Sequence, residues 1–247
     1  MQTQSQEIPS ALAAPSCPVA SLRKPSLESG DHLTRHEFEL RYAAIPDLKK
    51  AELIEGVVYM PSPVRAEEHG NPHADLIGWM GFYRAYTPGI RVSADATIRL
   101  DLDNAPQPDA VLYIESRLGG SAKIDGDGYL AGGPELVAEI AASNVSIARN
   151  SKLRVYRRNN IREYIIWREE DRELDWFVLR QGQYEPLTPG ADGVLHSEVF
   201  PGLWLDAPAL LRSDLAGVLQ VLQRGMASPE HAAFVALLQR RMTQATS

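Results

Sequence analysis

Residues 135–141, Glu-Leu-Val-Ala-Glu-Ile-Ala, constrain the fold more than any other stretch of the chain. Leu136, Val137, Ala138 and Ile140 make a run that reads as a central strand, with Glu139 set inside it. A carboxylate there is costly unless it is partnered. A helix over residues 147–158 and a second apolar strand, Glu163 to Trp167, come next. Strand, helix, strand in that order predicts an α/β fold, a mixed β-sheet with helices packed on it.

The rest of the chain fits around this unit. Residues 1–30, rich in Ser, Pro, Ala and Gln, lack apolar periodicity and read as a flexible tail. Thr34 caps a short helix, with Glu37 three residues later as the second half of a capping box. Glu52 to Met60 reads as one strand, stopped by Pro61, Ser62 and Pro63. Asn71 as N-cap and Pro72 at the first position open a helix that runs to Tyr86. Arg91 to Leu100 alternates apolar and polar residues, the pattern of a half-buried strand. After a polar turn comes a strand from Ala110 to Ile114. Leu174–Arg180 and Gln183–Leu187 form an edge hairpin turning at Gln181 and Gly182. The glycine-bearing stretches at Gly119–Gly120 and Gly126–Gly133 lack the Lys and Ser or Thr of a phosphate loop and read as surface loops. The main domain therefore spans residues 31–210. A C-terminal helical extension, 211–247, carries Leu211, Leu215, Val218 and Leu222, then a second helix capped by Ser228. It packs on the body or on a second copy.

Composition narrows the function. A formal charge of −7 gives no global attraction to phosphate, so any nucleic-acid contact must be local. One cysteine, Cys17, excludes a disulfide framework and a thiolate zinc site. No apolar run reaches the roughly 18 residues needed to cross a bilayer, and no signal peptide is evident. The expectation is a cytoplasmic protein with no membrane partner.

The residues able to do chemistry are few. Asp109, after Pro108 at the start of a strand, projects a carboxylate from a sheet end; an ordinary Pro-Asp turn is the plain alternative. Glu139 is either half of a buried salt bridge or a metal ligand. Ala141 shares its face and leaves room for a long side chain entering from the next helix. Lys152 lies on that helix, in a basic stretch with Arg149, Arg154, Arg157, Arg158 and Arg162, and most such stretches are solvated faces. His69 and His73, four apart, suggest a metal pair, but Gly70, Asn71 and Pro72 break the helix between them. A glycoside-hydrolase acid and base pair would also use Asp109 and Glu139, and leaves Lys152 unexplained.

Pro108-Asp109, then Glu139 in Glu-Leu-Val-Ala-Glu-Ile-Ala-Ala-Ser143, then Lys152, resembles the PD-(D/E)XK nuclease superfamily. More narrowly, the chain resembles the widespread bacterial family of candidate restriction endonucleases of the Uma type. Further matching pieces are Glu52-Leu-Ile-Glu-Gly56, Ser62-Pro63, His73, Tyr156 and Glu163-Tyr-Ile-Ile-Trp167, with Phe200-Pro-Gly-Leu-Trp204 near the end of a match running from Leu33 to Leu210. The resemblance implies a restriction-endonuclease-like fold and hydrolysis of DNA phosphodiester bonds. Asp109 and Glu139 would hold Mg²⁺ or Mn²⁺, and Lys152 would take the lysine's place, because Ala141 stands where the superfamily usually has it. It implies Glu52, His73 and Tyr156 as auxiliary residues and DNA as partner, with a homodimer open through the C-terminal helices. Relatives with this spacing often carry an acidic residue where this chain has Ala148. With the negative net charge, that keeps a second reading in view: a nuclease fold without catalysis, binding DNA or protein.

Overall fold

The structure is a computed structural model that describes residues 26–60, 65–141 and 146–245. Cys17, the tail as far as residue 25, Ser62, Pro63 and Ser143 lie outside the described residues.

Helix α1 (Arg35–Ala43) is capped by Thr34, whose Oγ1 accepts from the Glu37 amide at 3.3 Å. The other half of the capping box does not form, because the Glu37 carboxylate turns to Arg41 one turn ahead. The single strand expected over residues 52–60 is instead a hairpin, β1 (Glu52–Ile54) and β2 (Val57–Tyr59). Glu55 and Gly56 take φ of 53° and 76°, and two consecutive positive φ values make the tight turn that joins antiparallel strands. Helix α2 (Asn71–Tyr86) does not begin where expected either. A π-helical turn, Ala66–Gly70, runs straight into it, and Asn71 has helical angles rather than those of a cap. Pro72 lies in the first turn of α2, where the hydrogen-bond pattern changes from that of the π-helical turn to that of the α-helix.

Strand β3 (Ile90–Ala94) ends earlier than the alternation suggested, since Asp95 adopts a φ of 51°. The chain then enters a different sheet as β4 (Ile98–Arg99) before returning as β5 (Ala110–Ile114). The stretch expected to be surface loop contributes β6 (Lys123–Ile124) and β7 (Leu130–Ala131), which join β4 in a three-stranded sheet. The central unit is as expected: β8 (Leu136–Ala141), a π-helical turn (Ile147–Lys152) continuing as α3 (Leu153–Arg158), and β9 (Glu163–Arg168). Next come β10 (Glu173–Arg180) and β11 (Gln183–Pro186), turning at Gln181 and Gly182. After the short pair β12 (Leu195–His196) and β13 (Trp204–Leu205) the chain is helical: α4 (Ala207–Leu211), α5 (Leu215–Met226) and α6 (Pro229–Ala245).

The main sheet has six strands in the order β11-β10-β9-β8-β5-β3, with β8 and β9 parallel and the other neighbours antiparallel. It is the mixed sheet that the strand–helix–strand unit requires. Alternation gives it two buried faces. One packs Leu112, Ala138 and Ile165 under α2 and the C-terminal helices, with Trp79, Val218, Leu222 and Leu238 in the same core. The other packs Val111, Val137 and Ile166 under Val155 and Tyr156 of α3. Among the described residues no helix is long and apolar enough to cross a membrane.

The C-terminal helices thus pack on the body, and the contact is close enough to require a glycine. A Cβ on Gly225 would lie 2.6 Å from the Trp204 ring and against the Gly202 carbonyl. Gly225→Ala is expected to cost roughly 1–3 kcal/mol, read as a lower urea midpoint. Gly81→Ala, on α2 where a Cβ meets nothing within 4 Å, should leave the midpoint unchanged or raise it. Equal midpoints for the two variants would mean that α5 is not seated on β13 as described.

Candidate active site

The antiparallel register of β5 and β8 sets the site. Ala110 pairs with Ala138, so one step further Asp109 stands across from Glu139. The alternation that buries Val111 and Val137 puts both carboxylates on the α3 face. The Ile140 amide confirms the approach by donating to Asp109 Oδ2 at 2.7 Å.

Asp109 is almost fully buried and held from several sides. Its Oδ1 accepts from Lys50 Nζ at 3.2 Å and from His69 Nε2 at 3.1 Å, while its carbonyl accepts from His73 Nε2 at 2.7 Å. Burial alone would raise its pKa. The His69 hydrogen bond and the Lys50 charge outweigh burial and hold the carboxyl well below the usual carboxylate range. The same hydrogen bond raises the pKa of His69. His69 Nδ1 is buried without a hydrogen-bond partner among the described residues. The two histidines do come together, their ring centroids 5.8 Å apart, because the π-helical turn carries the chain through Gly70 without a break. They converge on Asp109, one on its carboxylate and one on its backbone.

Glu139 is held by the helix that succeeds it in the chain. Its Oε1 accepts from Lys152 Nζ at 2.8 Å and from Tyr156 Oη at 2.7 Å. Lys152 also reaches Glu52 Oε1 at 2.8 Å, and that oxygen takes the Gln107 amide at 2.6 Å. Burial pushes the Glu139 pKa up to about 7, with Lys152 opposing and the charges of Glu52 and Asp109 adding to the rise. Burial would lower the pKa of Lys152, but its two carboxylates more than reverse this, so it stays an ammonium. Tyr156, pushed far up by burial, stays a neutral donor.

Asp109, Glu139, Lys152, Glu52, His73 and Tyr156, all singled out from sequence, therefore meet in one place. Lys50 joins them without having been singled out, and so does His69, which the sequence offered only as half of a metal pair with His73 that the intervening helix breakers argue against. Lys50 had a weak signal: it lies two residues before Glu52 in an extended segment, which puts both on one side. Lys50 also donates to Asp95 Oδ1 at 2.8 Å. The cluster then holds four carboxylates, Glu52, Asp95, Asp109 and Glu139, against two ammonium groups. The basic stretch around α3 is largely taken up by neighbours: Arg154 by Glu55 at 2.7 Å, Arg158 by Asp101 at 3.2 Å and Arg149 by Asp175 at 3.4 Å. Ala148 is buried in the apolar cluster with Ala141, Tyr156 and Tyr164, and its carbonyl accepts from Tyr164 Oη at 3.1 Å.

A solved structure shares the fold that carries these residues. The crystal structure of "a putative nuclease belonging to DUF820" from Anabaena variabilis superposes with a TM-score of 0.54 at 16% identity. The match covers 70% of this chain and 96% of that one, and it shows a common fold. No curated protein matches the chain. Residues 35–208 match the Uma2 family, described as "Putative restriction endonuclease". The match takes in β1, the Asp109–Glu139 pair and α3, and the chain belongs to the Uma2 family of restriction-endonuclease-like proteins.

Proposed function

We propose that the chain is a divalent-metal-dependent endonuclease that hydrolyses DNA phosphodiester bonds, with Asp109 and Glu139 as metal ligands and Lys152 as the catalytic lysine. The observation that carries this reading is the facing pair Asp109 and Glu139 with Lys152 delivered to it from the adjoining helix.

The residues fit a hard cation such as Mg²⁺ or Mn²⁺. Their donors are carboxylate oxygens, and the cluster's formal excess of two negative charges is what a divalent ion balances. Burial is the main reason Glu139 holds its proton more tightly than a free carboxyl, and the Glu52 and Asp109 charges add to it. Among the described residues no group of three or more His, Cys, Asp or Glu side chains is placed to hold a metal ion, so protein ligation would come from the carboxylate pair alone. Mg²⁺ ordinarily takes one or two carboxylates and keeps several waters, so a partial shell suits it. When bound, the ion supplies charge that activates a water and stabilises the developing phosphoryl charge.

The chain's own groups prepare that chemistry. The Ile140 amide fixes Asp109 through Oδ2. Lys152 and Tyr156 fix Glu139 through Oε1 and put no hydrogen bond on Oε2. His73 anchors the Asp109 carbonyl and so the entry to β5. Glu52 keeps Lys152 charged and aimed. None of this needs a cysteine or histidine nucleophile.

Purified protein with Mg²⁺ or Mn²⁺ should cleave plasmid, duplex or single-stranded DNA, and EDTA should stop it. Asp109→Asn and Glu139→Gln should each lower the rate at least about 100-fold. Binding of DNA by the wild type with no cleavage under either metal would leave the fold as a binding module and defeat the enzymatic reading.

Lys152→Met should lower cleavage and also cost stability, roughly 3–5 kcal/mol near pH 8, because it strands two buried carboxylates. The cost depends on pH in a defined direction. Glu139 holds its proton more tightly folded than unfolded, so its contribution is most favourable below its ordinary pKa of 4.5 and is lost as pH rises toward about 7. Without the ammonium its pKa climbs further, so the variant's deficit should be largest near pH 8 and shrink toward pH 5. Urea unfolding at the two pH values checks this; a deficit that does not vary with pH counts against a buried charge triad.

A further inference from the structure

Two lysines serve the carboxylate row in parallel. Lys152 bridges Glu52 and Glu139, at 2.8 Å to each. Lys50 bridges Asp95 at 2.8 Å and Asp109 at 3.2 Å. An ammonium carries three N–H donors, so each lysine has two engaged and a third left over. The surroundings of that third donor differ. The Lys152 side chain is 7% exposed, beneath β1 and beside Tyr156. The Lys50 side chain is 25% exposed, and its partner Asp95 is 49% exposed.

Lys50 is also well anchored for a partly exposed lysine. Ala51 beside it is fully buried, and Tyr42 Oη donates to the Lys49 carbonyl at 3.1 Å. A bridge to a half-exposed carboxylate adds little stability. Asp109 already has the Ile140 amide and His69 as partners. What Lys50 adds is a fixed, water-facing positive charge at hydrogen-bonding distance from one of the two facing carboxylates. That is the position a non-bridging phosphate oxygen needs if the phosphorus is to lie over Asp109 and Glu139.

We infer that Lys50 is a substrate-binding residue whose third N–H contacts a phosphate oxygen of the nucleic-acid backbone at the Asp109 end of the site. The two ammonium groups then divide the work: Lys152 holds Glu139 from within, and Lys50 receives the anion from without. The inference rests on the nuclease reading.

The test is equilibrium binding of a fluorescently labelled DNA duplex, monitored by anisotropy between about 50 and 200 mM KCl with Ca²⁺ present. Losing one phosphate contact removes about 0.9 from the slope of log K against log salt. For Lys50→Met this corresponds to a Kd roughly eightfold weaker at 0.1 M salt. Lys50→Gln, which retains donors for Asp95 and Asp109, should show the same loss and serves if the Met variant fails to fold. Lys50→Arg should recover most of the affinity and slope. Arg180→Met, removing a cation on the edge hairpin paired with Glu185 and Glu198, should match the wild type. Wild-type slope and Kd in both Lys50→Met and Lys50→Gln would overturn the inference. So would a loss that Lys50→Arg does not restore, which would mark a structural ion pair. If the wild type cleaves DNA and either result is found, only the role of Lys50 falls; if the wild type neither binds nor cleaves, the nuclease reading falls and takes this inference with it.

Discussion

A buried ammonium held between two buried carboxylates ties the molecule's parts together. Lys152 meets Glu52 and Glu139 at 2.8 Å each, and these residues come from a helix, the N-terminal hairpin and the centre of the main sheet. Removing Lys152 leaves two buried carboxylates with no counter-charge between them, a far larger penalty than the triad's net contribution; removing either carboxylate leaves the ammonium with one partner and unties one of the three parts. The triad therefore acts as a geometric requirement. The hairpin must sit over β8, and α3 must cross the same face, or the charges are stranded. Gln107 joins the requirement by donating its amide to Glu52, which fixes the approach to Asp109 two residues later.

The two π-helical turns serve the same placement. One, Ala66–Gly70, carries His69; the other, Ile147–Lys152, ends on Lys152. A π turn adds a residue to the helical circuit and so rotates the downstream helix relative to the residues that enter it. Both turns lead directly into a regular helix whose buried side is set by packing, Leu76, Trp79 and Met80 in α2 and Val155 and Tyr156 in α3. The helix keeps its core face, and the widened turn lets a polar side chain at its entrance reach the carboxylates.

Much of this was legible in the chain itself. The β8–α3–β9 unit could be read because apolar runs of strand length flank a helix, and Glu139 could be noticed because a carboxylate inside such a run needs a partner. Lys152 and Tyr156 lie four apart on one helical face, so finding one at Glu139 makes the other expected. Local conformation was less legible. The turn at Glu55–Gly56 was hidden because β-branched residues continue on both sides of it, and the break at Asp95 because alternation persists past a residue with positive φ. Gly70, Asn71 and Pro72 looked like a helix stop because propensity is counted for α-helical hydrogen bonding, which a π turn does not use. Misjudging that turn separated His69 from Asp109. Lys50 was missed for a different reason: its partners Asp95 and Asp109 lie 45 and 59 residues away, and its spacing from Glu52, the one local hint, does not encode a meeting made by tertiary packing.

Electrostatics decides what kind of ligand such a cleft can accept. The chain has a net charge of −7, and the arginines nearest the site are already paired with Glu55, Asp101 and Asp175. The cluster itself carries more carboxylates than ammonium groups. A polyanion approaching this surface meets no long-range attraction, and at the carboxylate pair it meets repulsion until positive charge is added. A divalent cation held by Asp109 and Glu139 would cancel the local excess of negative charge while leaving the distant surface unchanged. On the nuclease reading, metal occupancy and substrate binding are then coupled through charge alone: each favours the other by the same free energy, without any movement of the fold.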